Sequence, residues 1–184
     1  MKLHLVLPAL VLATLPAFSQ QPPGVRESFN DLAQERASHT SFTLDPSELE
    51  LAERFIDTGR ENGEVKRTVA ALNSITVENF RYTRPAFYDP EVMNSIVNRF
   101  HAAGWKHLVN ENAHPGEGIT TDLWFHFRNG EIDDLTVLVR GQRDMNVISV
   151  SGALRPLDLV HLSGHFGIPK VDPNAVMGAA PDGK

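Results

Sequence analysis

From Trp105 to Ser151 the apolar residues recur with a period of two, and this run restricts the chain to folds built on an antiparallel sheet. Trp105 to Asn110, Asp122 to Arg128, Ile132 to Arg140 and Met145 to Ser151 read as four successive strands joined by hairpins. Asn129-Gly130 marks a tight turn between the second and third. A two-residue turn places Trp124 opposite Leu135 and mixes polar with apolar groups on each face. A three-residue turn, Arg128-Asn129-Gly130 with Gly130 left-handed, pairs Leu123 with Leu135 instead. It gathers Leu123, Phe125, Phe127, Leu135, Val137 and Val139 on one face. Register follows the buried face, so this second arrangement is expected. A four-residue turn near Gln142 to Met145 adds Ile148 and Val150 to that face. The opposite face then carries Trp124, His126, Asp134, Thr136, Leu138, Arg140, Ser149 and Ser151.

Helical spacing precedes this run. Val25, Phe29, Leu32 and Ala33 open a first helix, and His39 to Leu44 is β-prone. Asp45-Pro46-Ser47-Glu48 starts a second helix: Asp45 caps, Pro46 fits the first helical position, and Glu48 completes a capping box. Leu49, Ala52, Phe55 and Ile56 share its apolar face, and Gly59 stops it. A short helix follows from about Glu64 to Leu72, then a strand from Ser74 to Tyr82. Asp89-Pro90-Glu91 repeats the capping device before a stripe of Met93, Ile96, Val97 and Phe100 that Gly104 ends. Arg155-Pro156 opens the last helix, with Leu159, Leu162 and Phe166 in register and Gly167-Ile168-Pro169 as its stop. The expected fold is α+β: a mostly antiparallel sheet ending in a four-strand meander, with helices near 46–58, 90–103 and 155–166 packed chiefly on one face.

The N-terminus reads as an address. Lys2 and His4 precede an apolar stretch from Leu5 to Phe18, and Ala17-Phe18-Ser19 offers small residues where a signal peptidase reads. Pro8 and Pro16 interrupt the stretch, which is too short for a stable membrane anchor. Residues 1–19 are expected to be a signal peptide, 20–24 a Pro-rich tether, 25–170 a single domain and 171–184 a disordered tail. The mature protein is expected outside the cytoplasm, periplasmic or secreted, without a transmembrane anchor.

Composition narrows the partners. Of 184 residues, 165 remain after a nineteen-residue leader, enough for one domain with a core of its own. The net charge of −6 becomes −7 once Lys2 is removed, which argues against nucleic acid or an anionic membrane surface as partner. Cysteine is absent, which excludes disulfides, thiol catalysis, Cys-bound zinc and a lipid-modified N-terminal Cys.

Several segments resemble one family. Val77-Glu78-Asn79-Phe80-Arg81-Tyr82, Gly104-Trp105-Lys106, Val147-Ile148-Ser149-Val150-Ser151-Gly152 and Leu162-Ser163-Gly164-His165-Phe166-Gly167-Ile168-Pro169 are similar, in order and spacing, to the exported bacterial domain-of-unknown-function family 4252. The likeness runs from about Phe29 to Pro169. It implies an exported α+β domain in the bacterial envelope and brings no catalytic residues with it. Many members look like lipoproteins, from which this Cys-free chain departs.

Reaction-bearing patterns are sparse. His161 and His165 are four apart on one helical face, a spacing that can bind zinc, but neither a third ligand nor the neighbouring Glu of zinc hydrolases accompanies them. His126 shares a sheet face with Asp134 and Arg140, the arrangement that orients a general base, yet no nucleophile elbow is present. Glu78 is one of many scattered carboxylates, and Asp133-Asp134 point to opposite faces of a regular strand. Gly116-Glu117-Gly118 lacks the context of a phosphate-binding loop. Neither a metal nor a cofactor is expected.

Three functions follow from these residues. The leading one is a non-enzymatic extracytoplasmic binding or regulatory module of the bacterial envelope, docking an envelope protein or ligand on the face bearing Trp124, His126 and Arg140; the alternative for that face, which Leu138 also shares, is that the first helix or the one near Glu64 to Leu72 packs over it and makes Trp124 core. The second is an exported hydrolase or metal-dependent enzyme using His126 or the His161/His165 pair. The third is a structural envelope protein.

Overall fold

A computed structural model describes residues 21–55, 60–114 and 118–162. The expected leader, the helix stop at Gly59, Gly116 and Glu117, His165, the stop at Gly167 and the tail from Val171 lie outside those residues. The elements run α1 (Val25–Asn30), β1 (Ala37–Leu44), α2 (Pro46–Phe55), α3 (Arg60–Ala70), β2 (Leu72–Tyr82), α4 (Pro90–Ala102), β3 (Lys106–His114), β4 (Ile119–Arg128), β5 (Glu131–Arg140), β6 (Asp144–Leu154) and α5 (Pro156–Leu162). The six strands form one sheet in the order β1-β2-β6-β5-β4-β3, and every neighbouring pair is antiparallel. The class is α+β, and β3 to β6 make the meander that the alternation demands. Among the described residues no helix is long and apolar enough to cross a membrane.

Local chemistry fixes the helix ends. At α2, Asp45 Oδ1 accepts the backbone N–H of Ser47 at 2.9 Å and of Glu48 at 3.0 Å, while Glu48 Oε2 accepts the Asp45 N–H at 2.9 Å, a complete capping box. The Ser47 hydroxyl, ahead of the backbone donors, holds the Asp45 carboxyl below its ordinary range. At α4, Asp89 Oδ1 accepts from the N–H of Glu91 and Val92. Its other end closes with the Trp105 N–H on the Phe100 carbonyl and the Gly104 N–H on that of His101. Gly104 takes φ +82°, which a residue with a Cβ rarely adopts. The same closure brings the Phe100 and Trp105 rings to 4.9 Å.

The β4–β5 hairpin keeps the expected faces by a different turn. Asn129 (φ 55°) and Gly130 (φ 85°) form a two-residue turn with both residues left-handed, and Arg128 pairs with Glu131. One extra residue, Asp133, is then bulged out of β5: Phe127 faces Ile132 but His126 faces Asp134. The bulge moves the remaining pairs to Phe125–Leu135 and Leu123–Val137. Leu123, Phe125, Leu135, Val137, Ile148 and Val150 thus lie together, under Leu49 of α2, Val65 and Val69 of α3, and Leu159 and Leu162 of α5.

The second face is covered too, and here the expectation is corrected. α4 does not join the helices on the aliphatic face. Its Ile96 and Phe100 pack with Val25, Phe29 and Leu32 over Phe80, Tyr82, Trp124, Leu138, Met145 and Val147. Three helices lie on one face and two on the other, which encloses the sheet between helical layers. The tether is likewise no free linker: Pro22 is buried, its carbonyl accepts the Val25 N–H, and the Pro23 carbonyl accepts from Arg99 Nη1 at 3.2 Å.

Candidate functional site

The three residues expected to form one docking surface are each engaged by contacts within the fold. Trp124 is 0% exposed. Its ring stacks between Phe100 of α4 (4.6 Å, 12°) and His107 of β3 (4.7 Å, 3°), with Phe29 tilted against it at 6.3 Å. It is core, and the uncovered Trp on which the docking surface depended is absent. The alternative that a helix packs over Trp124, to which Leu138 on the same face pointed, is the one observed: Leu138 is also 0% exposed, and α1 and α4 supply the cover.

Arg140 serves a buried carboxylate. Its Nη2 donates to Asp122 Oδ2 at 2.8 Å, and His107 Nε2 lies 3.0 Å from the other oxygen, so Asp122 has a partner on each side at 1% exposure. The guanidinium sits 5.7 Å from the centre of the Tyr88 ring. The Tyr88 hydroxyl donates to the Gly141 carbonyl at 2.7 Å. Burial first, then Tyr82 and Asp144, push the Tyr88 phenol well above its ordinary range against the pull of Arg140. This network ties the β5–β6 turn to the segment before α4.

His126 belongs to a third group. Its Nδ1 lies 2.6 Å from Asp133 Oδ1, and Arg128 Nε lies 2.9 Å from Asp133 Oδ2. One ligand atom from each of His126, Asp133 and Asp134 falls within 4.8 Å of the others. Sequence reading missed this grouping because a regular strand sends Asp133 and Asp134 to opposite faces. The bulge at Asp133 cancels that alternation. One nitrogen and two carboxylate oxygens are a donor set that can hold a divalent cation, although the Arg128 guanidinium already pairs with Asp133.

A concavity lies elsewhere on the same face. Cross-strand register aligns Thr43, Thr76, Ser149 and Thr136 in one row across β1, β2, β6 and β5. The Thr43 and Thr76 hydroxyls are 2.9 Å apart. Gln21 Nε2 donates to Ser149 Oγ at 2.7 Å and to Thr136 Oγ1 at 3.2 Å, so the segment before α1 is pinned over the row. Between segment and sheet is a cavity of about 420 Å³, lined by Gln21 to Gly24, Arg26, Glu27, Thr43, Thr76, Glu78 and Ser149. Gly24 enters it with φ +78°, and a Cβ there would fall 2.7 Å from Arg99 Nη1.

Glu78 is the charged group in the floor. It is 5% exposed. Arg26 Nη2 meets its Oε1 at 2.6 Å, while Oε2 has no hydrogen bond and His39 Nε2 stands 3.6 Å away, beyond bonding range. The His39 ring stacks on Phe80 at 4.3 Å. The sequence signal for this site was the alternation Ser74, Thr76, Glu78 on β2 facing Ser149 and Ser151 on β6, which is also the pattern of an ordinary solvated face. No family model, no curated protein and no solved structure matches the chain.

Proposed function

We propose that this chain is a non-enzymatic, extracytoplasmic module of the bacterial envelope that binds a small polar ligand. The observation that carries the reading is the cavity beneath residues 21–27, with a hydroxyl-rich floor and one deeply buried carboxylate. Small-molecule sites are concave and orient their ligand through a few polar groups, and this cavity is concave with Thr43, Thr76, Glu78 and Ser149 in its lining. The apolar leader ending in Ala17-Phe18-Ser19 supports export, and the resemblance to family 4252 supports an envelope setting. Cleavage after Ser19 would leave Gln21 as the second residue of the mature chain, so export and assembly of the cavity roof would be coupled.

Native mass spectrometry of the protein recovered from an envelope or culture fraction tests this. The expected result is a chain beginning at Gln20 that carries a small adduct, with amide shifts confined to Thr43, Thr76 and Ser149 when the adduct is added back. A chain that keeps Met1, or a small-molecule fraction that shifts none of those amides, would count against it.

A second reading rests on His126, Asp133 and Asp134. As the centre of a metal-dependent exported hydrolase they would supply three ligands, leaving open positions for water and substrate. Titration with zinc or manganese separates the two readings: a stoichiometric site perturbing His126, and lost in Asp133→Asn, would favour the enzyme.

A further inference from the structure

We propose that β1 is a docking edge for a second copy of this chain, joining two sheets through an antiparallel β1–β1 pair about a two-fold axis. The inference is independent of any ligand in the cavity. β1 ends the sheet and is paired on its inner side with β2 from Ala37 to Leu44 without a bulge. Residues 37–43 are exposed, and among the described residues no hydrogen bond other than those of β2 reaches the β1 backbone. Such an edge points alternate N–H and C=O groups outward, which is a template for another strand.

Sheets blunt an exposed edge with Lys, Pro, a bulge or a short strand. β1 has none of these. Ala37-Ser38-His39-Thr40-Ser41-Phe42-Thr43-Leu44 contains no Lys, Arg, Asp, Glu, Pro or Gly. At 8 residues it is longer than the usual strand of about five or six. The opposite edge is built differently: β3 begins at Lys106, includes Glu111, and shifts its register on β4 between Asn110 and His114. One edge of the sheet is blunted and the other is left open.

That asymmetry selects the occupant. Head-to-tail addition of β1 to β3 of a next copy would use the irregular edge, so the sheet does not extend without limit. β1 on β1 uses the open edge alone, and a two-fold axis closes it. The chain carries a net charge of −6, yet this strand brings no Asp, Glu, Lys or Arg to the contact, so no like-charge pair forms between the two strands. Residues opposite one another in an antiparallel pair share a sheet face, so a register centred on Ser41 sets Phe42, 55% exposed, against Thr40 of the partner subunit. An aromatic beside a β-branched residue is a favourable cross-strand pair. The same rule puts the two cavities, each lined by Thr43, on one side of the joined sheet. A strand of 8 residues a side falls short of the about 20–30 of a standard interface, so the pair is reversible, with a dissociation constant of about 10–100 μM.

Sedimentation velocity of the purified protein from about 1 to 500 μM, with amide hydrogen exchange at both ends of that range, tests this. The expected result is a weight-average mass that rises from one chain toward two and levels there. The β1 amides should exchange severalfold more slowly at the upper end, and the β3 amides should be unchanged. Phe42→Lys removes the ring and adds a charge to the edge in both copies, and should weaken the dimer at least about tenfold while leaving the circular dichroism unchanged. Should that variant fail to fold, Thr40→Lys, at another exposed position of the same strand, should weaken the dimer in the same way. A monomer at every concentration would overturn the proposal. So would a dimer that both variants leave intact, or a mass that climbs past two chains. Protection of β1 only after an envelope extract is added, without self-association, would give the edge to a strand of another protein and overturn the second-copy assignment.

Discussion

Truncating Trp124 to Ala is the sharpest test of how the second sheet face is built. The indole is 0% exposed and held between the rings of Phe100 and His107 at 4.6 and 4.7 Å. Buried Phe or Trp to Ala changes cost about 3–5 kcal/mol, and each well-packed aromatic pair adds about 0.5–1.5 kcal/mol beyond area. With two stacked partners, the upper part of that range, about 4–5 kcal/mol, is expected. For a domain of this size about 1 kcal/mol corresponds to about 2–4 °C, so the melting temperature should fall by about 8–20 °C. Trp124→Phe separates packing from polarity. The indole Nε1 makes no hydrogen bond, so replacing it forfeits only volume, and about 1–2 kcal/mol is expected. Urea unfolding followed by far-ultraviolet circular dichroism gives both numbers. Iodide quenching supplies an independent check: Trp105 is also buried, at 5% exposure, so native emission should be blue-shifted and poorly quenched. A Trp124→Ala variant within about 1 kcal/mol of the parent, or ready quenching of the native protein, would refute the placement of α4 over this face.

Three further outcomes follow from named contacts. Arg140→Ala leaves the Asp122 carboxylate, at 1% exposure, with His107 as its remaining partner, and the unsatisfied oxygen should cost about 1–3 kcal/mol; adding Asp122→Asn should recover part of that loss in a double-mutant cycle read by urea midpoints. Asp158 accepts the Arg155 backbone N–H and its guanidinium at 2.6–3.0 Å; burial pushes its carboxyl up, but these bonds outweigh burial and hold it below the ordinary value. Its contribution to stability is therefore complete above the unfolded-state value of about 4 and is lost as pH falls through the depressed folded value, so Asp158→Asn should lower the urea midpoint at pH 7 and converge on the parent near pH 2. Gly152→Ala should cost about 1–3 kcal/mol, because a Cβ there meets the Ala71 carbonyl oxygen at 2.6 Å and Leu72 Cα at 2.9 Å, backbone atoms that have no rotamer to escape into; an unchanged urea midpoint would show that the β2 bulge yields instead.

Strand positions and face membership are legible in the sequence because both depend on alternation, and alternation is enforced by burial. Leu123, Phe125, Leu135 and Val137 had to share a face whatever the turn did. The turn itself is not legible by that route. A three-residue turn, and a two-residue turn followed by a one-residue bulge, both shift the pairing into the same parity and satisfy the same apolar face. Asn129 tolerates a left-handed backbone well enough to favour the second. That choice has a chemical consequence, since only the bulge sends Asp133 to the side of His126 and Asp134. Which helix covers which face is equally hidden, because the stripe of Ile96 and Phe100 states that one side of α4 is buried and says nothing about which side of the sheet receives it.

The remaining information lies in rows rather than in strands. Thr43, Thr76, Ser149, Thr136, Trp124 and His107 are consecutive cross-strand neighbours, a single line across all six strands. Along that line hydroxyl side chains give way to aromatic rings between Thr136 and Trp124. The cover changes at the same point: Gln21 reaches down to Ser149 and Thr136, and Phe100 stacks on Trp124. Read strand by strand, the hydroxyls look like a solvated face and the Trp like an exposed hot spot. Read along the row, the aromatic half calls for an apolar helix and the hydroxyl half for a polar cover, and residues 21–27 supply that cover, with a cavity of about 420 Å³ beneath it.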